Sequence, residues 1–304
     1  MPRWLSSLSR ATETEPNTSS IVGDWPVRYC LNTSTIRGQQ LGLVAEIELA
    51  AKAGYDGIEP WIREIEVYQQ EGGSLADLRK RLDDHGLRVE SAIGFPQWIV
   101  DDPEARARGL EQAKREMGLV AALGGTRIAA PPAGATDRDD MDLLTIAERY
   151  RALLEVGRAA GVVPQLELWG FSKTIHRLGE LLYIATEADH PDACVLPDVY
   201  HIYKGGSGFD GLRMLAGTQV HCFHMNDYPA DPPRETIGDA DRVYPGDGVA
   251  PLDEILGTLR RNGFAGVLSL ELFNPRYYEL DAEEVVTTGL EKMKAAVESS
   301  MAAS

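Results

Sequence analysis

The sequence predicts a single closed (β/α)8 barrel, and three observations support this fold class. Apolar strand patterns alternate with helical patterns eight times from Val27 onward, without a break. Four of the later strands end in a carboxylate or an imidazole, which suits a barrel because its active site lies at the carboxyl ends of its strands. The first strand is followed by Asn32-Thr33-Ser34-Thr35, not by the glycine-rich turn of an open dinucleotide-binding sheet.

Glycine and proline mark the boundaries of the first four strand–helix units. Strands are predicted at Val27–Leu31, Asp56–Glu59, Leu87–Ala92 and Thr126–Ala130. Helices are predicted at about Gln39–Ala53, Ser74–His85, Pro103–Leu123 and Asp140–Ala160. Gly86 stands where a helix C-cap is expected, and Pro103 suits the first turn of a helix.

The second half of the chain repeats the same pattern. Strands are predicted at Val163–Glu167, Cys194–Leu196, Gln219–Met225 and Gly266–Leu272. Helices are predicted at about Ile175–Glu187, Phe209–Ala216, Leu252–Asn262 and Ala282–Met301. Gly161 and Gly263 directly follow helical segments, as C-terminal caps commonly do.

Residues 1–20 are rich in serine and threonine and lack the apolar core of a secretory signal. We therefore expect a poorly ordered tail at 1–20 and a barrel domain at 21–304. No apolar run approaches the roughly 18 residues of a membrane span, so no membrane partner is expected. The three cysteines all fall in predicted strands, which favours buried free thiols and a cytoplasmic location.

The formal net charge of −17 bears on binding partners. An acidic surface repels phosphate backbones, and no basic stripe interrupts it, so nucleic acid is not an expected ligand. The expected partner is a small carbohydrate. The sequence leaves the oligomeric state open, including a homo-oligomer.

Four apolar strands end in residues that bind hard metal ions: Glu167, Asp198, His224 and Glu271. Two glutamates, one aspartate and one histidine suit one divalent ion, namely Mn²⁺, Zn²⁺, Co²⁺ or Mg²⁺. The alternative is a chance clustering of polar strand ends. It is disfavoured because four consecutive units show the same feature.

Several short motifs occur in a specific order along the chain. They are Gly54-Tyr55-Asp56-Gly57-Ile58-Glu59, Asp198 with His201, His224 with Asp227, and Pro245-Gly246-Asp247-Gly248 followed by Leu268-Ser269-Leu270-Glu271. They resemble the motifs of the xylose-isomerase-like barrels, also called sugar phosphate isomerases/epimerases or AP endonuclease family 2 barrels. The resemblance covers nearly the whole chain, from about Val27 to Ala296.

The resemblance implies roles for particular residues. By position, Glu167, Asp198, His224 and Glu271 would hold the metal ion. In the epimerase branch the two ligand glutamates, here Glu167 and Glu271, also serve as the acid/base pair. The histidine matching His201 contacts substrate oxygens in that family, whereas a capping or surface histidine is the alternative.

Further candidates lie near predicted strand ends, and each has a structural alternative. Glu59 is expected either to bind a sugar hydroxyl or to form a salt bridge. Trp61, Trp169 and Phe273 are expected to line a sugar site or to pack in the core. Lys204 is expected to reach an anionic or carbonyl oxygen, although a solvated loop lysine is more usual.

The predicted function is metal-dependent isomerisation or epimerisation of a sugar or cyclitol through an enediolate. The alternative within the same chemistry is a lyase or dehydratase acting on a keto-sugar or keto-cyclitol, either inosose-dehydratase-like or keto-glycoside-cleaving. Nucleases of the resembled family use extra histidines where this chain has Ile93-Gly94-Phe95 and Ala130-Pro131-Pro132. A non-catalytic binding barrel would not need four ligands kept together.

Overall fold

The computed structural model describes residues 25–303, so the predicted tail at 1–20 and the domain boundary at 21 lie outside the described residues. Within the described range, eight strands alternate with helices in the predicted order. The strands are β1 (Arg28–Asn32), β2 (Gly57–Glu59), β3 (Arg88–Val89), β4 (Arg127–Ala130), β5 (Val163–Glu167), β6 (Val195–Leu196), β7 (Cys222–Met225) and β8 (Val267–Leu270).

Backbone hydrogen bonds join the strands into one closed parallel ring. Two ladders, β3-β2-β1-β8-β7 and β4-β5-β6, contain most of the pairing. The amide of Ala129 donates to the carbonyl of Ala92 (2.8 Å) and links β3 to β4. Parallel bridges between Val195 and Val220 and between Asp198 and His224 link β6 to β7. The predicted closed (β/α)8 barrel is confirmed.

Helices surround the ring. They are α1 (Leu43–Ala53), α2 (Ile62–Gln70), α3 (Leu75–Asp84), α4 (Pro103–Ala122), α5 (Leu143–Ala160), α6 (Leu178–Glu187), α7 (Val199–Lys204), α8 (Leu252–Arg261), α9 (Pro275–Tyr278) and α10 (Ala282–Ala302). Across residues 25–303, none of these helices combines the length and apolar character needed to cross a membrane.

Three short helices that follow strands closely, α2, α7 and α9, were not predicted. In α2 the Glu64 carboxylate accepts a hydrogen bond from the amide of Trp61 (2.9 Å) and caps the first turn. In α7 the Asp198 carboxylate accepts from the amide of His201 (2.6 Å), so a predicted metal ligand is also a helix cap. Each helix is short, which leaves little periodicity to detect in the sequence.

Other elements are shorter than predicted, for local reasons. The predicted helix at 39–53 begins only at Leu43, because Gly42 has a positive φ of 80°. The preceding residues, Thr33–Gln39, form a 3₁₀ helix. The predicted helix at 209–216 is a 3₁₀ helix over Phe209–Met214, and the regular part of the third strand spans only Arg88–Val89.

Side chains alternate along β7 between the barrel interior and the helix layer. Cys222 packs in an interior cluster with Trp61 and Ile93. Phe223 and Met225 belong to the larger core between strands and helices. His224 shares the interior parity of Cys222, and this register directs its ring toward the barrel axis.

Glu46 is a buried acid on the inner face of α1. It is 4% exposed, and its Oε2 has no hydrogen-bond partner among the described residues. Burial, assisted by the nearby Glu64 carboxylate, raises the pKa of Glu46 to about 8. The folded chain therefore holds this proton at pH values where the unfolded chain releases it.

A glutamine at position 46 should make stability less dependent on pH. Wild-type stability should fall as pH rises from the ordinary pKa of 4.5 to about 8, because the folded state binds the proton more tightly. Glu46→Gln removes that titration. We therefore expect the difference in melting temperature, variant minus wild type, to be at least about 3 °C larger at pH 8.5 than at pH 5.

Thermal melts across this pH range measure the effect. Glu48→Gln, at an exposed position on the same helix, is the matched control and should melt in parallel with the wild type. A Glu46→Gln melting curve offset by the same amount at both pH values would contradict the assignment.

Candidate metal centre and active site

The carboxyl ends of β5 to β8 bring the four predicted ligand residues together. Glu167 ends β5, Asp198 follows β6, His224 lies in β7 and Glu271 follows β8. Each is at most 4% exposed. The convergence follows from the barrel, because parallel strands direct their carboxyl ends to one face.

His224 Nδ1 lies at the centre of this cluster. It is 3.2 Å from Glu271 Oε2, 3.8 Å from Asp198 Oδ2 and 4.0 Å from Glu167 Oε1. The ligand atoms of Asp198, His224 and Glu271 lie within 4.8 Å of one another, and Glu167 is the most distant of the four. One imidazole nitrogen and three carboxylate oxygens form a donor set suited to a divalent cation.

Two buried atoms support the fit of a cation. His224 Nδ1 and Glu167 Oε2 have no hydrogen-bond partner among residues 25–303. Buried polar atoms normally have a partner, and a cation held by this donor set would serve both. The residues present therefore fit the metal ion that the sequence predicts.

Glu59 orients the His224 ring through Nε2, the ring nitrogen that faces away from the cluster. Its carboxylate lies 3.1 Å from His224 Nε2 and accepts hydrogen bonds from Asn32 Nδ2 (3.0 Å) and Ser269 Oγ (2.7 Å). With Nε2–H donating to Glu59, Nδ1 is left free to face the cluster. Glu59 is fully buried and is not among the residues that line the cavity, which favours the salt-bridge alternative over the sugar contact.

Glu59, Cys222 and His224 form a second group of possible metal ligands, whose ligand atoms lie within 4.8 Å of one another. Burial, followed by the charge of Glu59, raises the pKa of the Cys222 thiol to about 12. The Glu59 carboxylate of this grouping is already used by Asn32, Ser269 and His224. We therefore interpret this second grouping as part of the network that orients His224.

The two glutamates of the cluster have opposite protonation preferences. Burial, with the charge of Glu271 adding to it, raises the pKa of Glu167 to about 8, although His224 acts in the other direction. Burial would also raise the pKa of Glu271, but His224 and Arg242 hold it well below its usual range. This difference follows from the geometry, because His224 Nδ1 is closer to Glu271 Oε2 (3.2 Å) than to Glu167 Oε1 (4.0 Å).

Arg242 is the site residue that sequence reasoning missed. It is 1% exposed and lies in the long connection between β7 and α8. Its Nη1 donates to Glu271 Oε2 (2.8 Å) and Asp198 Oδ2 (3.1 Å). Its Nη2 contacts His201 Nε2 (3.0 Å) and Asp239. The only sequence signal is its position three residues before the Pro245-Gly246 motif.

His201 lines the cavity beside the cluster, at the position predicted for substrate contact. Its Nδ1 faces the amide of Gly170 (3.2 Å), and its Nε2 faces Arg242. Burial, followed by the charge of Arg242, lowers the pKa of His201 to about 3. The ring is therefore neutral at physiological pH and suited to hydrogen bonding, not to general acid catalysis.

The cavity at this face has a volume of about 190 Å³. Its polar side is formed by Glu167, His201, Asp239, Arg242 and Glu271, and its apolar side by Trp61, Ile93, Phe95, Trp169, Phe171 and Phe273. Trp169 stacks on Phe171 with ring centroids 5.2 Å apart. The predicted aromatic lining is present, and its flat faces suit the C–H faces of a polyol ring.

Lys204 lies outside this cavity. Its Nζ donates to the backbone carbonyls of Arg234 (3.0 Å) and Glu235 (3.1 Å) in the β7–α8 connection. Two of its three N–H groups thus point to this loop, and Lys204 is not among the residues that line the cavity, which favours a structural role over contact with a substrate oxygen.

Asp227 fixes the β7–α8 connection at its base. Its carboxylate accepts four backbone hydrogen bonds, from Tyr228 (2.7 Å), Ala250 (2.9 Å), Gly246 (3.0 Å) and Gly248 (3.1 Å). Both ends of the connection are thereby tied to β7. Since Arg242 lies within this connection, its position depends on the same carboxylate.

Comparison with known proteins gives a family match over most of the chain. Residues 47–296 match the model of a family described as xylose isomerase-like TIM barrel. The match includes the strands that bear all four ligand residues.

Individual relatives agree with the family match. The chain is 28% identical to an inosose isomerase of Bacillus velezensis over 277 residues, covering 89% of this chain and 97% of that protein. It is 24% identical over 256 residues to a 3-dehydroshikimate dehydratase of Pseudomonas aeruginosa, covering 83% of this chain and 39% of that one. A crystal structure of the IolI protein with a bound zinc atom superposes with a TM-score of 0.82 at 25% identity, covering 89% and 98% of the two chains.

Asp227→Asn should loosen the β7–α8 connection. An amide nitrogen replaces one carboxylate oxygen and faces backbone N–H groups that need an acceptor. Hydrogen exchange at the amides of Gly246, Gly248 and Ala250 should accelerate at least about tenfold.

Asp142→Asn is the matched control, because Asp142 also accepts a backbone hydrogen bond (from Thr145, 2.8 Å) but caps the distant helix α5. It should leave exchange in the β7–α8 connection unchanged. Unaltered exchange there in Asp227→Asn would show that the carboxylate does not hold the connection.

Proposed function

Because this chain belongs to the xylose isomerase-like TIM barrel family, we propose that it is a divalent-metal-dependent isomerase or epimerase of a sugar or cyclitol. The observation that supports this most strongly is the convergence of Glu167, Asp198 and Glu271 on Nδ1 of His224, beside an aromatic-lined cavity that Glu167 and Glu271 also line. The inosose isomerase relative supports a cyclitol or sugar as the substrate class.

Glu167, Asp198, His224 and Glu271 would hold the ion. A divalent cation held by these residues would supply polarisation of a carbonyl or hydroxyl oxygen of the substrate, and this would acidify the neighbouring C–H bond. The zinc atom in the IolI structure supports zinc as the first ion to test, with Mn²⁺, Co²⁺ and Mg²⁺ as the others.

The two glutamates divide the proton transfers between them. Glu271 and Glu167 act as the acid/base pair: one takes a proton from a substrate carbon, and the other gives a proton to the enediolate that results. They follow β8 and β5, on different sides of the ring, so a proton can leave one face and return to the other. Return to the same carbon epimerises, and return to the adjacent carbon isomerises.

The other polar groups hold the substrate. His201 and Arg242 line the cavity as a contacting pair that a substrate oxygen would meet, and the charge of Arg242 lies beside the place where an oxyanion develops. The aromatic rings form the apolar side of the cavity, where a lower local polarity would strengthen these electrostatic contacts. The proposal thus assigns substrate binding to His201, Arg242 and the aromatic rings, and assigns both ion binding and proton transfer to the two glutamates.

A lyase or dehydratase is the second candidate, supported by the 3-dehydroshikimate dehydratase relative. The same base would remove the proton, and a β-hydroxyl or glycosyl group would then leave instead of a proton returning. Analysis of products by NMR distinguishes the two, because only the lyase loses water or an aglycone.

His224→Ala and Asp198→Ala should each abolish stoichiometric metal binding, because each removes a ligand and leaves the remaining carboxylates to repel one another. Metal content after incubation with Zn²⁺ or Mn²⁺ and gel filtration measures this. His221→Ala is the matched control, since His221 contacts Arg127 (3.0 Å) just before β7 at the other end of the barrel. Full occupancy in both ligand variants would rule out this centre.

Glu167→Gln and Glu271→Gln should each slow exchange of a substrate C–H with solvent deuterium by at least about 100-fold at saturating metal. A panel of keto-sugars and keto-cyclitols in D₂O, followed by NMR, gives the rates. Glu279→Gln, at an exposed position, is the control. Turnover by the wild type without deuterium in substrate or product would instead favour hydride shift.

A further inference from the structure

The guanidinium of Arg242 is held in one orientation from several sides. It lies over the rings of Tyr200 (4.5 Å to the centroid) and Phe273 (5.0 Å). Its Nη2 bonds the Asp239 carboxylate, and its backbone carbonyl accepts from Asn274 Nδ2 (2.9 Å). A long, flexible side chain fixed in this way has a defined position before any ligand binds.

Arg242 uses the same two oxygen atoms that face the histidine. Its Nη1 bonds Glu271 Oε2 and Asp198 Oδ2, and these are the oxygens that approach His224 Nδ1 at 3.2 and 3.8 Å. A cation bound at the cluster would therefore share both oxygens with the guanidinium. The positive charge of Arg242 would lie within a few ångströms of the bound ion.

Two opposing consequences follow from this geometry. The guanidinium compensates the buried carboxylates and prevents their mutual repulsion from opening the cluster. The guanidinium also repels the divalent ion and withdraws electron density from the two oxygens that would bind this ion. At this separation in a buried site, the repulsion of the bound ion is the larger effect. The positioning effect is smaller because Asn226 Nδ2 also donates to Asp198 Oδ2 (2.8 Å) and would keep that ligand in place without the guanidinium.

We propose that Arg242 is a positioning residue of the metal centre that holds two ligand oxygens in place and lowers the affinity of the centre for divalent ions. This inference rests on the proposed metal-dependent function. It predicts that the centre is formed in the metal-free protein and exchanges its ion more readily than four unhindered ligands would allow.

The test is Mn²⁺ binding to the full chain, measured by calorimetry at fixed ionic strength. Arg242→Gln and Arg242→Met remove the charge, and Met also fills the space between the two rings. Both should bind Mn²⁺ at least about tenfold more tightly than the wild type. Both should also melt at a lower temperature without metal, and Mn²⁺ should restore the difference.

Two further variants separate charge from shape. Arg242→Lys keeps the charge and should bind Mn²⁺ within about threefold of the wild type. Arg234→Gln is the matched control, because Arg234 lies in the same connection, over the ring of Tyr203 (4.7 Å), and not at the cluster. It should match the wild type in affinity and melting temperature.

The outcomes distinguish this inference from the proposed function. A wild type that binds no divalent ion contradicts the proposed function itself. A wild type that binds Mn²⁺, with folded Gln or Met variants that bind it no more tightly, overturns the role of Arg242 alone. Equal tightening in Arg242→Lys would also overturn it, because the charge would then be irrelevant. If either neutral variant fails to fold, the other decides the question.

Discussion

Burial of several carboxylates in one barrel opening is the constraint on which the rest of the site depends. Glu59, Glu167, Asp198 and Glu271 are nearly or completely inaccessible to solvent. Each buried charge loses several kcal/mol of hydration free energy, and a nearby counter-charge has to compensate for this loss. Burial alone would lower the pKa of His224, but Glu271 and Glu59 raise it well above its usual value. The architecture around the ring therefore has to deliver compensating groups to one point.

Asn32 shows how the barrel meets that requirement with neutral groups as well. Its Nδ2 donates to Glu59 (3.0 Å) and Glu271 (3.2 Å), and its Oδ1 accepts from Trp61 Nε1 (3.1 Å). One amide at the end of β1 thus connects the residue that orients the histidine, a candidate ligand and the aromatic lining. Such networks reduce the freedom of each member, which suits a site that has to bind an ion in one geometry.

The sequence predicted the features that follow from strand periodicity. Glu167, Asp198, His224 and Glu271 converge as expected because strand register and barrel closure together determine where strand ends point. Arg242 could not be predicted, because it lies in an irregular connection whose path depends on hydrogen bonds to the Asp227 carboxylate. The same applies to Lys204, whose direction depends on carbonyl groups thirty residues further along the chain.

The ring closure has a mechanical consequence. The barrel consists of a three-stranded and a five-stranded ladder, joined along two seams by few backbone contacts. Glu167 and Asp198 belong to the smaller ladder and its carboxyl end, whereas His224 and Glu271 belong to the larger one. An ion bound by all four residues would link the two ladders across the junction between β6 and β7. The same ligand atoms would then serve the chemistry and also hold the three-stranded and five-stranded ladders together.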